Sequence, residues 1–212
     1  MLPSFSSFER TDSTPMSVRE ILVEMKDLCG LMIDLAYASV LFNDEDLANE
    51  VLEYEREIDS LLYELWTSAS VAVRDREDAK MMSSVIKLAI AMDEISNAVS
   101  DITHVVLRKL GIHEALRDVF KKIDIQYRRA VISKDSILVG KSIGELNLDV
   151  ELGIYILAIR RGDELIIDPE DDVKFMKDDV VIVKGPHESL VNFISAASGK
   201  IRDWKAVIGD VS

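Results

Sequence analysis

The stretch whose reading decides the fold is GKSIGELNLDVELGIYILAIRRGDELIIDPEDDVKFMKDDVVIVKGP, residues 140–186. Apolar and β-branched residues arrive in short runs: Gly153-Ile154-Tyr155-Ile156-Leu157-Ala158-Ile159, then Leu165-Ile166-Ile167, then Val180-Val181-Ile182-Val183. Runs of this length between turn residues are strands. Gly162-Asp163 between the first two is a tight-turn signal, so Arg161-Gly162-Asp163 is a hairpin rather than an adhesion motif. Pro169 ends the second run, Val173 and Phe175 alternate across a short segment, Asp178-Asp179 turns into the third run, and Gly185-Pro186 breaks it. Upstream, Ser142 or Gly144 can open a short helical turn carrying Ile143 and Leu146. Ile125, Tyr127 and Ala130-Val131-Ile132 suggest a connecting strand or linker. Downstream, Pro186 suits the entry to a helix whose apolar face is Leu190, Val191, Phe193 and Ile194, ending by Gly199. Strand, small helix, strands, helix is an α+β order.

Working outward toward the N-terminus, the chemistry changes. Residues 16–110 contain no proline and one glycine, Gly30, whereas residues 140–199 hold six glycines and two prolines. Two lobes follow. In the first, Ile21, Met25, Leu28, Met32, Leu35, Ser39 and Phe42 recur at alternating steps of four and three, one helical seam. Asn43 and Asp44 supply a turn and an N-cap. A second helix then runs past Leu47, Val51, Tyr54, Ile58, Leu61, Leu62 and Leu65. A break this short predicts antiparallel helices. A third stripe, from Met82 through Val85, Ile86, Ala89, Met92, Ile95, Val99 and Ile102 to Val106, ends at Gly111, a left-handed stop. His113 to Ile123 offers a shorter fourth helix. The stripes are broad for so few helices, which leaves apolar surface for a second protomer or a partner.

Acidic residues recur at one-turn spacing on two of these helices: Glu55 and Asp59 on the second, Asp93, Asn97 and Asp101 on the third. At about 100° per residue the first pair flanks its apolar stripe and the second set lies opposite its own, so all are expected to face outward. Carboxylates one turn apart can share a divalent cation, because hard ions favour oxygen ligands. The plain alternative is a solvated acidic face.

Across 212 residues the net charge is −14, with 48% hydrophobic and 30% charged residues. Such a surface repels phosphate backbones, so no nucleic-acid partner is expected. The longest apolar runs fall far short of the roughly 20 residues that span a bilayer. Residues 1–15 lack the basic start and apolar stretch of a secretory signal and read as a disordered lead-in. The single cysteine, Cys29, sits on an apolar helix face and reads as a small buried hydrophobe in a reducing, cytoplasmic interior. The three histidines show no zinc spacing, and there is neither a Gly-x-Gly-x-x-Gly turn nor a phosphate loop. No enzyme is expected.

Residues 17–122 resemble the PhoU family of helical bundles, on Glu55-Arg56-Glu57-Ile58-Asp59 and on Asp93-Glu94-Ile95-Ser96-Asn97-Ala98-Val99-Ser100-Asp101. In that family an acidic residue followed four later by aspartate recurs in paired three-helix halves and can hold metals. The resemblance implies Glu55, Asp59, Asp93 and Asp101 as candidate metal ligands, with only one three-helix half present. Residues 125–198 resemble the C-terminal domain of regulators of potassium conductance, the TrkA-C domain. The residues that carry it are Gly140-Lys141-Ser142-Ile143-Gly144-Glu145-Leu146, Gly153-Ile154, Ala158-Ile159-Arg160-Arg161-Gly162, Pro169, Asp178-Asp179 and Gly185. This resemblance implies a βαβββα-type dimer that receives a small ligand, sometimes a nucleotide, between protomers. The ligand-facing residues it implies are Ile143, Leu148, Asp149, Val150 and Arg160. A carboxylate at Asp149 disfavours an anionic dinucleotide. If no ligand binds, Ile143, Leu148 and Val150 pack a core or seam, and Arg160 and Arg161 are edge-strand charges.

The expected organisation is a lead-in at 1–15, a PhoU-like three- or four-helix bundle at 16–123, a TrkA-C domain at 124–200 and a tail at 201–212. The expected role is that of a homodimeric regulator of a cation channel or transporter, meeting the membrane only through that partner. Its input would be a small nucleotide or a divalent cation, with no NAD. The alternative is a metal-binding regulator of phosphate-transport signalling.

Overall fold

The computed structural model describes residues 16–111, 125–203 and 207. The chain divides into two compact units, one of helices and one built on a sheet.

The helical unit holds α1 (Val18–Phe42), α2 (Glu45–Ala72) and α3 (Arg76–Leu107). Each starts on a side-chain cap, which satisfies amide donors the first turn leaves open. Ser17 and Glu20 form a reciprocal capping box. Asp44 accepts from the amides of Asp46 and Leu47, as expected, and Asp75 from those of Glu77 and Asp78. Asn43 closes α1 in the left-handed conformation at φ 50°. Each helix packs against both others. The seams of α1 and α2 are buried as expected, apart from half-buried Phe42 and Leu62. Cys29 is also buried; its Sγ donates to the Met92 carbonyl at 3.4 Å, and burial raises its thiol, with the charge of Asp93 adding to the effect.

The third helix keeps Ala89, Val99 and Val106 of its expected stripe in the core, with Met82, Val85, Ile86, Met92 and Ile102 half-buried. Its buried residues are Ala89, Ser96, Val99, Ser100, Thr103 and Val106, while Ile95 is 46% exposed. Hydroxyls can line this face because their own helix satisfies two of them: Thr103 Oγ1 donates to the Ser100 carbonyl at 2.7 Å and Ser100 Oγ to that of Asn97 at 2.9 Å. The helix also stops short of Gly111. It ends at Leu107, and Lys109 takes φ 54°. The expected fourth helix at 113–123 and the lead-in at 1–15 lie outside the described residues.

The second unit runs β1 (Ile125–Val131), α4 (Ile143–Leu146), α5 (Leu148–Leu152), β2 (Tyr155–Arg161), β3 (Glu164–Ile167), β4 (Val180–Pro186) and α6 (His187–Ala197). The sheet order is β1-β4-β2-β3, with every neighbour antiparallel. This is the expected βαβββα order with a second helical turn, α5, inserted. Ser142 caps α4 through a capping box with Glu145. Ile156, Ile159, Val181 and Val183 from the sheet meet Leu190 and Phe193 of α6 and Phe175 in one core.

Two expectations fail on topology. Gly185-Pro186 does not break the last strand; the two residues pair with Gln126 and Ile125 of β1. A strand's last position tolerates proline, and Gly185 is required by closeness, since a Cβ there would sit 2.9 Å from the Gly153 carbonyl oxygen. Arg160 and Arg161 are not edge-strand charges either, because β2 lies between β4 and β3.

Candidate functional site

The corner between α4 and α5 gathers four of the five residues considered for ligand contact. Asn147 turns the chain in the left-handed conformation at φ 43°, and α5 starts directly after it. Leu148 is buried and Ile143 is half-buried against the same core, so both anchor the corner. Anchoring Leu148 leaves its neighbours outside: Asp149 is exposed and Val150 is 78% exposed. Gly153, at φ 63°, ends the turn with its amide on the Asp149 carbonyl at 3.0 Å. Arg160 stands on β2, half-buried, paired with Leu165 of β3 and Val180 of β4.

Its neighbour Arg161 is committed to the fold. The guanidinium grips Asp179 with both arms, Nε to Oδ1 at 2.9 Å and Nη2 to Oδ2 at 2.9 Å, and Nη2 also donates to the Lys174 carbonyl at 2.7 Å. The Met176 amide donates to Asp179 Oδ2 at 2.8 Å. Asp179 is 1% exposed. Fork-to-fork geometry of this kind is the strong form of the ion pair. Donating to the Asp179 carboxylate holds the Arg161 guanidinium above its usual range. In the sequence Asp178-Asp179 is a turn signal only, and no local pattern distinguishes the buried aspartate from its exposed neighbour.

In the helical unit the acidic residues do not all face outward. Asp93 and Glu55 are half-buried, whereas Asp59, Asn97 and Asp101 are exposed. Packing of α2 on α3 brings Glu55, Asp59 and Asp93 to one seam. Ser100 Oγ donates to Glu55 Oε1 at 2.9 Å, and Asn97 Nδ2 to Asp93 Oδ2 at 3.4 Å. Asp93 Oδ1 is buried with no hydrogen-bond partner among the described residues. Burial raises the Asp93 carboxyl above the usual carboxylate range, reinforced by the adjoining Asp59 carboxyl and by the charges of Glu94 and Glu55. Among the described residues no group of three or more His, Cys, Asp or Glu is arranged to hold a metal ion. Ser100 is the contributor that the acidic spacing did not indicate.

A pH dependence follows. An acid whose folded value is raised binds more protons folded than unfolded between its two values, so stability falls as pH rises through that window. In metal-free protein, Asp93→Asn is expected to raise the melting temperature of the helical unit by a few degrees at pH 7, and to lose that advantage in acid. Thermal melts across pH 4 to 7 check it.

Residues 22–106 match the PhoU domain model and residues 127–195 the TrkA-C domain model. A stretch of 67 residues is 39% identical to a probable potassium channel protein of Methanocaldococcus jannaschii. It covers 32% of this chain and 20% of that one, so the chain spans about a fifth of this curated relative. Among solved structures, the RCK_C domain dimer of S. agalactiae BusR in complex with c-di-AMP is 24% identical, with 37% of this chain and 96% of that chain covered, at a TM-score of 0.33. The RCK C domain of the potassium transport protein KtrA, also in complex with c-di-AMP, is 27% identical over 39% and 92%, at 0.30. Among the described residues no helix is long and apolar enough to cross a membrane.

Proposed function

We propose that this chain, a PhoU domain joined to a TrkA-C domain, is a cytoplasmic homodimeric regulator of a potassium or other cation transport system, controlled by a small ligand. The carrying observation is the 67-residue stretch shared with a potassium channel protein, together with the TrkA-C match. The ligand contacts the exposed turn carrying Asp149 and Val150, held by Ile143 and Leu148, with Arg160 as the cationic contribution. A ligand that grips one arrangement of two protomers more tightly than another shifts the population of an attached transporter by that difference in affinity. No bond is made or broken. The helical domain docks on the transport protein, the only link to the membrane, and the acidic surface disfavours nucleic acid.

Thermal shift and equilibrium dialysis of the purified dimer against nucleotides and divalent cations test the reading, alongside transporter pull-down. For an anionic ligand, Arg160→Ala is expected to weaken binding about tenfold, the loss of one charge-assisted hydrogen bond. A dimer that responds to no nucleotide or ion and retrieves no transporter overturns it.

A second reading, a metal-binding regulator of phosphate-transport signalling, rests on the PhoU match and on the raised Asp93 carboxyl beside Asp59, among the described residues a pair rather than a three-ligand set. A divalent cation would relieve the repulsion that raises the Asp93 carboxyl. Elemental analysis separates the two, since absence of bound metal, with unchanged partner binding in Asp59→Asn and Asp93→Asn, removes this second reading.

A further inference from the structure

The third helix carries an apolar line besides the one it buries in its own bundle. Met81, Leu88, Ile95 and Ile102 recur every seven residues, and Ser84, Ala91, Ala98 and Val105 stand between them, an a/d heptad pattern whose one polar member is Ser84. Met81 is 58% and Leu88 50% exposed. Ser84, Ala91 and Ala98 are exposed, and Ile102 and Val105 half-buried. The residues that α3 turns into its own bundle, from Ala89 to Val106, fall at other heptad positions. The flanking g positions read Lys80, Lys87, Glu94 and Asp101, all exposed, basic in the first half and acidic in the second.

We propose that α3 pairs antiparallel with α3 of a second copy of this chain along this line, with the two-fold axis beside Ile90. In that register Leu88 meets the partner's Ala91, Ile95 the partner's Ser84 and Met81 the partner's Ala98, so each of these three large side chains faces a small one, while Ile102 lies beyond the paired stretch, opposite the partner's Glu77. The charges choose the same register. Lys87 meets the partner's Glu94 and Lys80 the partner's Asp101, whereas a slide of one heptad sets either Glu94 or Lys87 against its own copy. Like charges brought together in this way oppose pairing. A parallel pair would set the g residues against Val85, Met92 and Val99, which carry no charge to answer them. An isologous pair needs one surface that complements itself, and this surface does.

Length argues against the chain's own residues 113–123 as the occupant. At about 1.5 Å per residue the paired line from Met81 to Ala98 runs about 26 Å, so a helix of eleven residues, about 16 Å long, would cover only part of it. The pairing is independent of how the TrkA-C unit associates.

Spin labels on the full chain test it, placed singly at 83, 90 or 97 in a Cys29→Ala background. These positions share one heptad site, so their sideways offset is common. The antiparallel pair gives the shortest separation at 90, with an added axial offset of about 21 Å at both 83 and 97. Joint Leu88→Arg and Ile95→Arg substitution is expected to abolish the short separation. Should that variant fold poorly by circular dichroism, Lys87→Glu and Glu94→Lys, which leave the apolar line intact, are each expected to weaken the pair, and mixing them to form the mixed pair preferentially. Equal separations at all three sites, no short separation at 90, or indifference to both sets of substitutions overturns the proposal.

Discussion

Phe193→Ala is expected to destabilise the TrkA-C unit by about 4 kcal/mol, within the range for buried Phe truncations. Phe193 is fully buried, and its ring stands edge-to-face with that of Phe175 at a centroid distance of 6.4 Å. Truncation therefore removes apolar transfer energy, leaves a cavity between α6 and the sheet, and deletes a favourable ring contact. A marginal domain has only about 5–15 kcal/mol to lose. Urea denaturation followed by hydrogen exchange at the amides of β4 should show a lower midpoint at an unchanged slope. Phe193→Leu, which keeps most of the volume, should recover most of the loss. An Ala variant as stable as the parent would mean that α6 does not seal this core.

Asp179→Ala is expected to cost about 3 kcal/mol, because removing one member of a buried ion pair strands the other. Arg161 would lose both arms of its grip and the Met176 amide its acceptor. Arg161→Ala should be comparably severe, since it leaves the nearly fully buried Asp179 carboxylate with that amide but without its cation. Joint replacement, Arg161→Met with Asp179→Leu, should cost less than either truncation, because neither charge is then left alone. Additive losses in this cycle would show that the two residues act separately. A ligand-binding assay on the folded variants also separates this structural arginine from Arg160, one residue earlier on the same strand.

Much of this organisation is legible in the residues themselves. Asp44 and Ser142 cap helices where an oxygen-bearing side chain precedes an apolar period. The strands of the second unit follow the β-branched runs, and the hairpin follows Gly162. Ser17 and Asp75 open helices by the same chemistry. These are local effects, settled within a turn or two of chain by steric and hydrogen-bonding preferences.

The candidate sites were legible only in part. One-turn spacing placed Glu55 and Asp59 on one helix and Asp93 on another. That burial would raise the Asp93 carboxyl depends on how α2 rotates against α3. The short helical turn opened at Ser142 was legible, but the corner at Asn147 and the division of labour between anchoring Leu148 and exposed Val150 were not, because both are branched aliphatics of one five-residue helix.

By itself, then, the sequence determined the two-unit chain, the helical and extended periods, the caps at Asp44 and Ser142, most of the turns, and the families the two units resemble. Only the tertiary structure decided that Ser96, Ser100 and Thr103 join the buried side of α3 while Ile95 leaves it, that β2 is an interior strand, and that Asp179 rather than Asp178 is the buried acceptor. The reason is physical. Period and propensity fix the local conformation of a segment, but α3 carries apolar residues on two faces. A face becomes core only when another element's shape and hydrogen bonds complement it. The hydroxyls of Ser100 and Thr103, satisfied at close range, let α3 widen its buried stripe beside Val99 and Val106, while Ile95 of the expected stripe, and Met81 and Leu88 outside it, stay at the surface.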